Sequence, residues 1–425
     1  MLSVGQTLSL EVEKPAVGGR MIARADGQIV LVDGAIPGER VAVVIDRVER
    51  KVAYGRTVAV EASSPDRHQE VADRRCGGCL YAHIAYGRQL ALKAAIVGDA
   101  FARIARLPLG RLPPVLPSPA AGYRMRARLH CRGGRIGFFR EQTHELCDVR
   151  PTGQLLPATC DVLDALRASL TESWAQSVHQ IEVSENLAAT ERAVHLDQLS
   201  EPRKVEASAS WARSLLTAGV TGLSTGGAAP GTVRVLGGSP YVSDIFDVAG
   251  RPVVIRRHVS SFFQGNRFLL RPLVTHVATL IPDGSRLVDL YAGGGLFALA
   301  AAAPASAVTA VEGDRVAAAD LVANVKAAGA KVRVVHQAVE DFARSAPPGT
   351  DVALLDPPRT GLSQDALHGT LRLSARRLVY VSCAVATLAR DARRLVDAGY
   401  AIGSVEAFDM FPNTPHVETV VVFEK

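Results

Sequence analysis

Residues 376–390 read RRLVYVSCAVATLAR. The run Leu378–Val381 is continuously apolar, the signature of a strand buried on both faces. It delivers one cysteine, Cys383, to the carboxyl end of a sheet. The same pattern extends upstream to Arg286. Strands are expected at Leu287–Tyr291, Val308–Glu312, Val332–His336, Val352–Asp356 and Leu378–Cys383, with helical segments between them. That alternation predicts an α/β fold with a parallel, doubly wound sheet and its site at the carboxyl ends of the strands. Two last strands, Ala401–Phe408 and Val417–Phe423, surround Asp409–His416.

Three stretches of this half carry chemistry. Asp289–Phe297, DLYAGGGLF, is a strand running into a glycine loop and a helix, with Glu312 ending the next strand where ribose hydroxyls are bound. The loop is not G-x-G-x-x-G, and its leading acid favours S-adenosylmethionine over a dinucleotide. Asp356-Pro357-Pro358-Arg359 ends the fourth strand with an acid and two rigid residues. Cys383 lies one strand away. A thiolate that adds to C6 of uracil makes C5 nucleophilic enough to take a methyl from a sulfonium. A base must then remove the C5 proton, and Glu418 is the candidate.

The rest of the chain sets the context. With 425 residues, 48% hydrophobic and 21% charged, there is material for two or three globular domains. The opening MLSVGQTLSLEVEK has neither a basic nor an apolar export region. The low-charge run Gly293–Val311 is broken by Pro304 and too short to span a membrane. Six irregularly spaced cysteines do not form a disulfide framework, so a cytoplasmic location is expected. A net charge of +6, with only seven lysines among 48 basic residues, is compatible with a polyanionic partner.

Residues 1–61 hold short β-type runs punctuated by Gly18-Gly19, Asp26-Gly27, Asp33-Gly34 and Pro37-Gly38, which predict a small antiparallel barrel. Residues 62–255 are expected to form a central α+β domain, and 256–425 the doubly wound one. Cys76-Gly-Gly-Cys79 is half of a metal or iron–sulfur site. A helix is expected over Tyr86–Leu107. In Tyr123–Leu129 a strand places Arg124, Arg126 and Arg128 on one face, suited to an RNA backbone, with Phe138 and Phe139 nearby. Helices near Leu155–Thr171 and Ser208–Ala218, and strands near Val178–Val183 and Thr232–Leu236, complete the central region.

Residues 18–41, GGRMIARADGQIVLVDGAIPGERV, resemble the TRAM domain, an RNA-binding barrel. Over its length the chain resembles the TrmA/RlmD type of RNA 5-methyluridine (uracil-C5) methyltransferase. Ser261–Asn266, SFFQGN, resembles that family's F-F-Q-x-N motif, Asp356–Gly361 its D-P-P-R-x-G motif and Asp409–Glu418 its D-x-F-P-x-[ST]-x-H-x-E motif. The resemblance implies a class I methyltransferase domain binding S-adenosylmethionine through Gln264, Tyr291, Gly293, Gly295, Glu312 and Asp356. It implies Cys383 as nucleophile, Glu418 as base, and a flipped uridine that Phe263 could stack on. Ribosomal RNA is favoured over transfer RNA by the barrel. A monomer is favoured, without a membrane partner.

The chain departs from the family in three places. Cys383-Ala384-Val385 stands for S-C-N-P or S-C-D-P, which raises an alternative reading as a catalytically weakened RNA-binding or chaperone relative. Glu70 replaces a cysteine of the iron–sulfur set. With Cys147 as a distant third thiolate beside Cys76 and Cys79, a complete [4Fe–4S] cluster is not expected. Leu296 and Ala338 replace polar donor contacts. A nicotinamide oxidoreductase would account for the sheet but not for the thiol, the F-F-Q motif or the barrel.

Overall fold

The computed structural model describes residues 2–69, 73–170, 177–198, 209–227, 232–346 and 349–425. Glu70, Thr171 and Ser208, named above, lie outside the described residues, as do Pro230 and Gly231. The chain forms two compact units. One comprises Met1–Pro117, Cys383–Arg394 and Glu406–Thr419, the other Ser118–Ser382, Leu395–Val405 and Val420–Lys425.

The first unit begins with five strands, β1 (Thr7–Pro15), β2 (Met21–Ala25), β3 (Gln28–Asp33), β4 (Arg40–Val48) and β5 (Val52–Ala62), closed in the order β1-β2-β3-β5-β4. Alternation along the strands turns Leu10, Val12, Val30, Val32, Val41, Val43 and Ile45 inward, with Ala53 beside them. The barrel is not purely antiparallel, as its turns suggest, because β3 and β5 pair in parallel. Strand β4 closes against β1, which leaves the open edge of β3 for β5 and removes every free edge.

The barrel core continues into Tyr81, Ile84 and Leu92. Helix α1 (Tyr86–Ala100) ends in a π-helical turn, Phe101–Ala105, and stops at Arg106 in the left-handed region, one residue short of the expected end. Strand β6 (Val115–Leu116) pairs in parallel with Ala407–Phe408.

The second unit contains a seven-stranded sheet in the order β13-β12-β11-β10-β7-β8-β9. Its strands are β7 (Arg126–Arg132), β8 (Arg135–Phe139), β9 (Leu146–Cys147), β10 (Val178–Glu185), β11 (Arg192–Gln198), β12 (Gly222–Gly226) and β13 (Val233–Gly238), with α2 (Pro157–Ser169) and α3 (Ala209–Thr217). The expected two-face pattern holds: Tyr123, Met125, Ala127 and Leu129 are all buried. A hairpin of β14 (Tyr241–Val248) and β15 (Arg251–His258) precedes the catalytic-type sheet. Within it Arg257 and Asp244 form a fully buried ion pair, and the Arg257 guanidinium lies 3.9 Å from the Phe263 ring.

After α4 (Leu270–Thr279), the expected alternation appears: β16 (Arg286–Leu290), α5 (Leu296–Ala301), β17 (Ala307–Glu312), α6 (Arg315–Ala328), β18 (Val332–His336), α7 (Val339–Ser345), β19 (Val352–Leu355), α8 (Gln364–Arg372) and β20 (Arg377–Ser382). The chain then runs through α9 (Val385–Asp397), β21 (Ala401–Phe408) and β22 (Glu418–Glu424). Strand order is β18-β17-β16-β19-β20-β22-β21, with β16 through β20 parallel where they pair. Order reverses between β16 and β19, and ligands bind at such a reversal.

The Ala384-Val385 departure has a simple local meaning. The Ala384 carbonyl accepts from Leu388 N at 3.0 Å and from Thr387 Oγ1 at 2.9 Å, so Ala384 is the amino-terminal cap of α9 and Val385 its first residue. Asparagine or aspartate caps such a helix well, and proline suits its first position. Alanine keeps the helix and loses the cap. Replacing Ala384→Asn should stabilise the fold by about 1 kcal/mol, seen as a rise of roughly 1–2 °C in the unfolding midpoint. An unchanged or lower midpoint would show that α9 is not limited by its cap.

Candidate active site

In the second unit, parallel strands end side by side and bring three acids to one end of the sheet. Asp289 is the penultimate residue of β16, Glu312 the last of β17, and Asp356 follows β19. Asp289 is buried, and neither of its oxygens makes a well-formed hydrogen bond among the described residues; the Ala298 amide gives only slight relief. Burial, then Asp356 and Glu312, hold its carboxyl well above the usual range. Burial also pushes Asp356 up to about 7, against a hydrogen bond from Gln264 Nε2 at 3.4 Å, with Glu312 adding to the rise.

Glu312 is anchored. Its carboxylate accepts from Gly293 N and Asp314 N, both at 2.7 Å, which ties the glycine loop to the next strand. Within that loop Tyr291 has φ 66°, a conformation that costs a non-glycine residue of order 1 kcal/mol. Gly295 has φ 92°, and a Cβ there would meet Leu321 Cδ1 at 2.7 Å. A Cβ on Gly293 would meet nothing within 4 Å, so the loop's backbone faces open space.

Helix α6 holds this loop from behind, which the sequence reading missed. Asn324 Nδ2 donates to Gly294 O and Arg256 O, both at 2.8 Å. Asp320, one turn earlier, accepts from His258 N at 2.8 Å and from the Ser261 hydroxyl at 2.5 Å. The glycine loop and the start of the Ser261–Gln264 segment thus share one support. The signal was present as two polar residues four apart on an otherwise apolar helix face.

These residues suit S-adenosylmethionine. A buried carboxylate without a well-formed partner, a second one titrating near neutrality and an open glycine backbone match a cationic, ribose-bearing molecule. Leu296 is buried, and Ala338 caps α7 without a side-chain bond, so neither replaces the polar contact the family resemblance implies.

In the first unit, Cys383 is a half-buried thiol two residues before the first turn of α9. A helix amino end carries partial positive charge, the sign that suits a thiolate. Glu418 opens β22 and is 2% exposed. It follows Asp409–Val417, whose Asp409 is paired with Lys93 of α1, both side chains fully buried.

The expected RNA-facing row is engaged with protein. Arg124 Nη1 donates to Gln154 Oε1 at 2.5 Å, Arg126 Nη2 to Glu182 Oε2 at 2.9 Å, and Arg128 Nη2 to Glu182 Oε1 at 2.7 Å. Only Arg128 keeps its side chain about half exposed, at 55%. Phe263 is buried beside Arg257, whereas its neighbour Phe262 is 64% exposed. Cys79 is a buried free thiol, pushed up to about 12 by burial with Asp73 nearby, whereas Cys76 and Cys147 are disulfide-bonded, so neither offers the thiolate expected of it. Among the described residues, no group of three or more His, Cys, Asp or Glu is arranged to hold a metal. No described helix is long and apolar enough to cross a membrane.

Known proteins resemble the chain at both ends and throughout. Residues 2–58 match the TRAM domain, and 349–425 match the family described as tRNA (Uracil-5-)-methyltransferase. A protein of Thiobacillus denitrificans named 23S rRNA (uracil(1939)-C(5))-methyltransferase RlmD is 31% identical over 453 residues, covering 100% of both chains. Its namesake in Methylococcus capsulatus is 32% identical over 444 residues, 99% of this chain and 97% of the relative. The Pyrococcus abyssi tRNA (uracil-54, C5)-methyltransferase, solved with S-adenosyl-L-homocysteine, superposes with a TM-score of 0.76 at 23% identity, covering 98% of this chain and 99% of that one. That likeness establishes the fold. The sequence relatives establish the lineage: the chain belongs to the family of S-adenosylmethionine-dependent RNA uracil-C5 methyltransferases.

Proposed function

We propose that the protein methylates C5 of a uridine in 23S ribosomal RNA through a covalent adduct on Cys383. The observation that carries this reading is the pairing, in one compact unit, of a half-buried thiol at a helix start with a buried carboxyl at a strand start. A methyltransferase acting on an amine needs neither. S-adenosylmethionine, when bound, supplies an electrophilic methyl on a sulfonium. Asp289 and Asp356 favour its positive charge, Glu312 its ribose, and the Gly293–Gly295 backbone its close approach.

The chain's own groups do the rest. Cys383 adds as thiolate to C6, and the C5–C6 π electrons move to C5, which takes the methyl. Glu418 removes the C5 proton, the double bond re-forms, and Cys383 leaves as thiolate. Gln264 orients Asp356, and Tyr291 closes the loop around the donor. In the RNA-contacting row Arg124 and Arg126 brace the strand while Arg128 reaches the backbone, and Phe263 supports the exposed Phe262 beside a displaced base. The division at residues 61 and 255 into barrel, central and catalytic parts belongs to the same reading. So does action in the cytoplasm.

Labelled methyl donor, unmodified 23S ribosomal RNA and, as a comparison, transfer RNA test the substrate directly. Methyl should appear at C5 of one ribosomal uridine by mass spectrometry, and Cys383→Ala should lower transfer by about 10⁴-fold or more. Transfer to tRNA instead would move the substrate, and no transfer to either with RNA binding intact would favour the weakened, binding-only alternative.

Donor affinity should also depend on pH. Asp356 is neutral below about 7 and ionised above it. A cation binds the ionised form better, so the dissociation constant for S-adenosylmethionine should fall as pH rises from 6 to 8, by roughly tenfold at most for one group. Calorimetry should find proton release on binding near pH 7, and Asp356→Asn should flatten the profile. A flat profile in the wild type would contradict the role of Asp356.

A further inference from the structure

Helix α1 presents Tyr86, Gln89 and Lys93 on one face, three and four residues apart. All three reach the segment between β21 and β22. Lys93 pairs with Asp409 in full burial and donates to Phe411 O at 2.9 Å. The Tyr86 hydroxyl donates to the other Asp409 oxygen at 2.8 Å. Gln89 reads both ends of Asn413: its Oε1 accepts from Asn413 N, and its Nε2 donates to Asn413 Oδ1, each at 3.0 Å. The same Nε2 donates to Ile84 O at 2.9 Å and Tyr81 O at 3.1 Å.

The barrel closes the other side. Gly19, at φ 93°, lies so close to Pro415 that a Cβ would come within 2.3 Å of its ring. The Tyr81 hydroxyl donates to Gly19 O at 3.1 Å, and Tyr81 N donates to Asn413 O at 2.8 Å. Residues 409, 411, 413 and 415 are thus each held, and Glu418 follows three residues after Pro415. A buried ion pair is costly to desolvate, and hydrophobic replacements often match its stability. Its presence here, with a ring of directional bonds, points to a demand for geometry.

We propose that Tyr86, Gln89 and Lys93 are positioning residues that hold Asp409–His416 rigid so that Glu418 meets the C5 proton after methyl transfer. The proposal rests on the reading of function above. The step it serves is balanced: the proton passes from C5 to the Glu418 carboxylate, the C–H electrons rebuild the C5–C6 double bond, and the C6–S bond breaks to release the Cys383 thiolate. Loosening the segment slows this elimination and leaves addition and methyl transfer intact.

The test uses full-length Gln89→Leu and Tyr86→Phe, because Lys93→Met strands a buried carboxylate and can fail to fold. Wild type and Glu418→Gln run beside them, with labelled donor and the RNA the wild type methylates. In Gln89→Leu, kcat should fall about tenfold, with kcat/KM for donor and RNA unchanged within about twofold, because the slowed step follows methyl transfer. Methyl-labelled protein–RNA adduct should accumulate on denaturing gels, as in Glu418→Gln, and Tyr86→Phe should show a smaller effect in the same direction. Folded variants that turn over at the wild-type rate would overturn the proposal. So would a loss of rate without adduct, since a merely structural role lowers active protein without trapping the intermediate. Absence of methyl transfer in the wild type itself would remove the function and the proposal with it.

Discussion

A parallel sheet ends all its strands on one side, and here that constraint gathers like charge. Asp289, Glu312 and Asp356 come together at the carboxyl ends of β16, β17 and β19, in a place where burial already disfavours ionisation. The protein compensates only one of them fully, by giving Glu312 two backbone amides. Asp289 and Asp356 are held above the usual carboxylate range. An apolar replacement would be more stable in isolation, so the arrangement makes sense only with a cation to complete it. The left-handed backbone at Tyr291, also at this end of the sheet, is the kind of local strain that collects at ligand sites.

The first unit treats its buried acid in the opposite way. Asp409 is given a lysine and a tyrosine hydroxyl, one on each of its carboxyl oxygens, so its partners are built into the protein. Compensation of this kind belongs to a fixed part of the machine, whereas the donor-side acids belong to a part that waits for a ligand. The same contrast separates Arg257, which is locked to Asp244, from Arg128, which keeps half of its side chain in solvent.

Much of the fold was legible because its signals are local. Continuous apolar runs marked the parallel strands, paired glycines marked the barrel turns, and period-two alternation at Tyr123–Leu129 separated a buried face from a basic one. The parallel pairing of β3 with β5 was not legible, since it follows from closure of the whole barrel. The candidate nucleophile and base stand in compact motifs, so they too could be picked out. Their supports could not: Lys93 meets Asp409 across more than three hundred residues, and a lysine on a helix looks like solvated surface until its burial is known. The arginine row shows the reverse difficulty. Alternation located it correctly, but the partners Gln154 and Glu182 come from distant segments.

The account turns on a covalent bond between Cys383 and a uracil C6, followed by loss of the C5 proton. RNA carrying 5-fluorouridine isolates that sequence, because fluorine at C5 cannot leave as a cation and elimination is blocked after methyl transfer. With the methyl donor present, the protein should form a stable one-to-one complex with this RNA, and peptide mass spectrometry should place the RNA on Cys383. A complex absent in the presence of donor, or one that still forms in Cys383→Ser, would contradict the central claim.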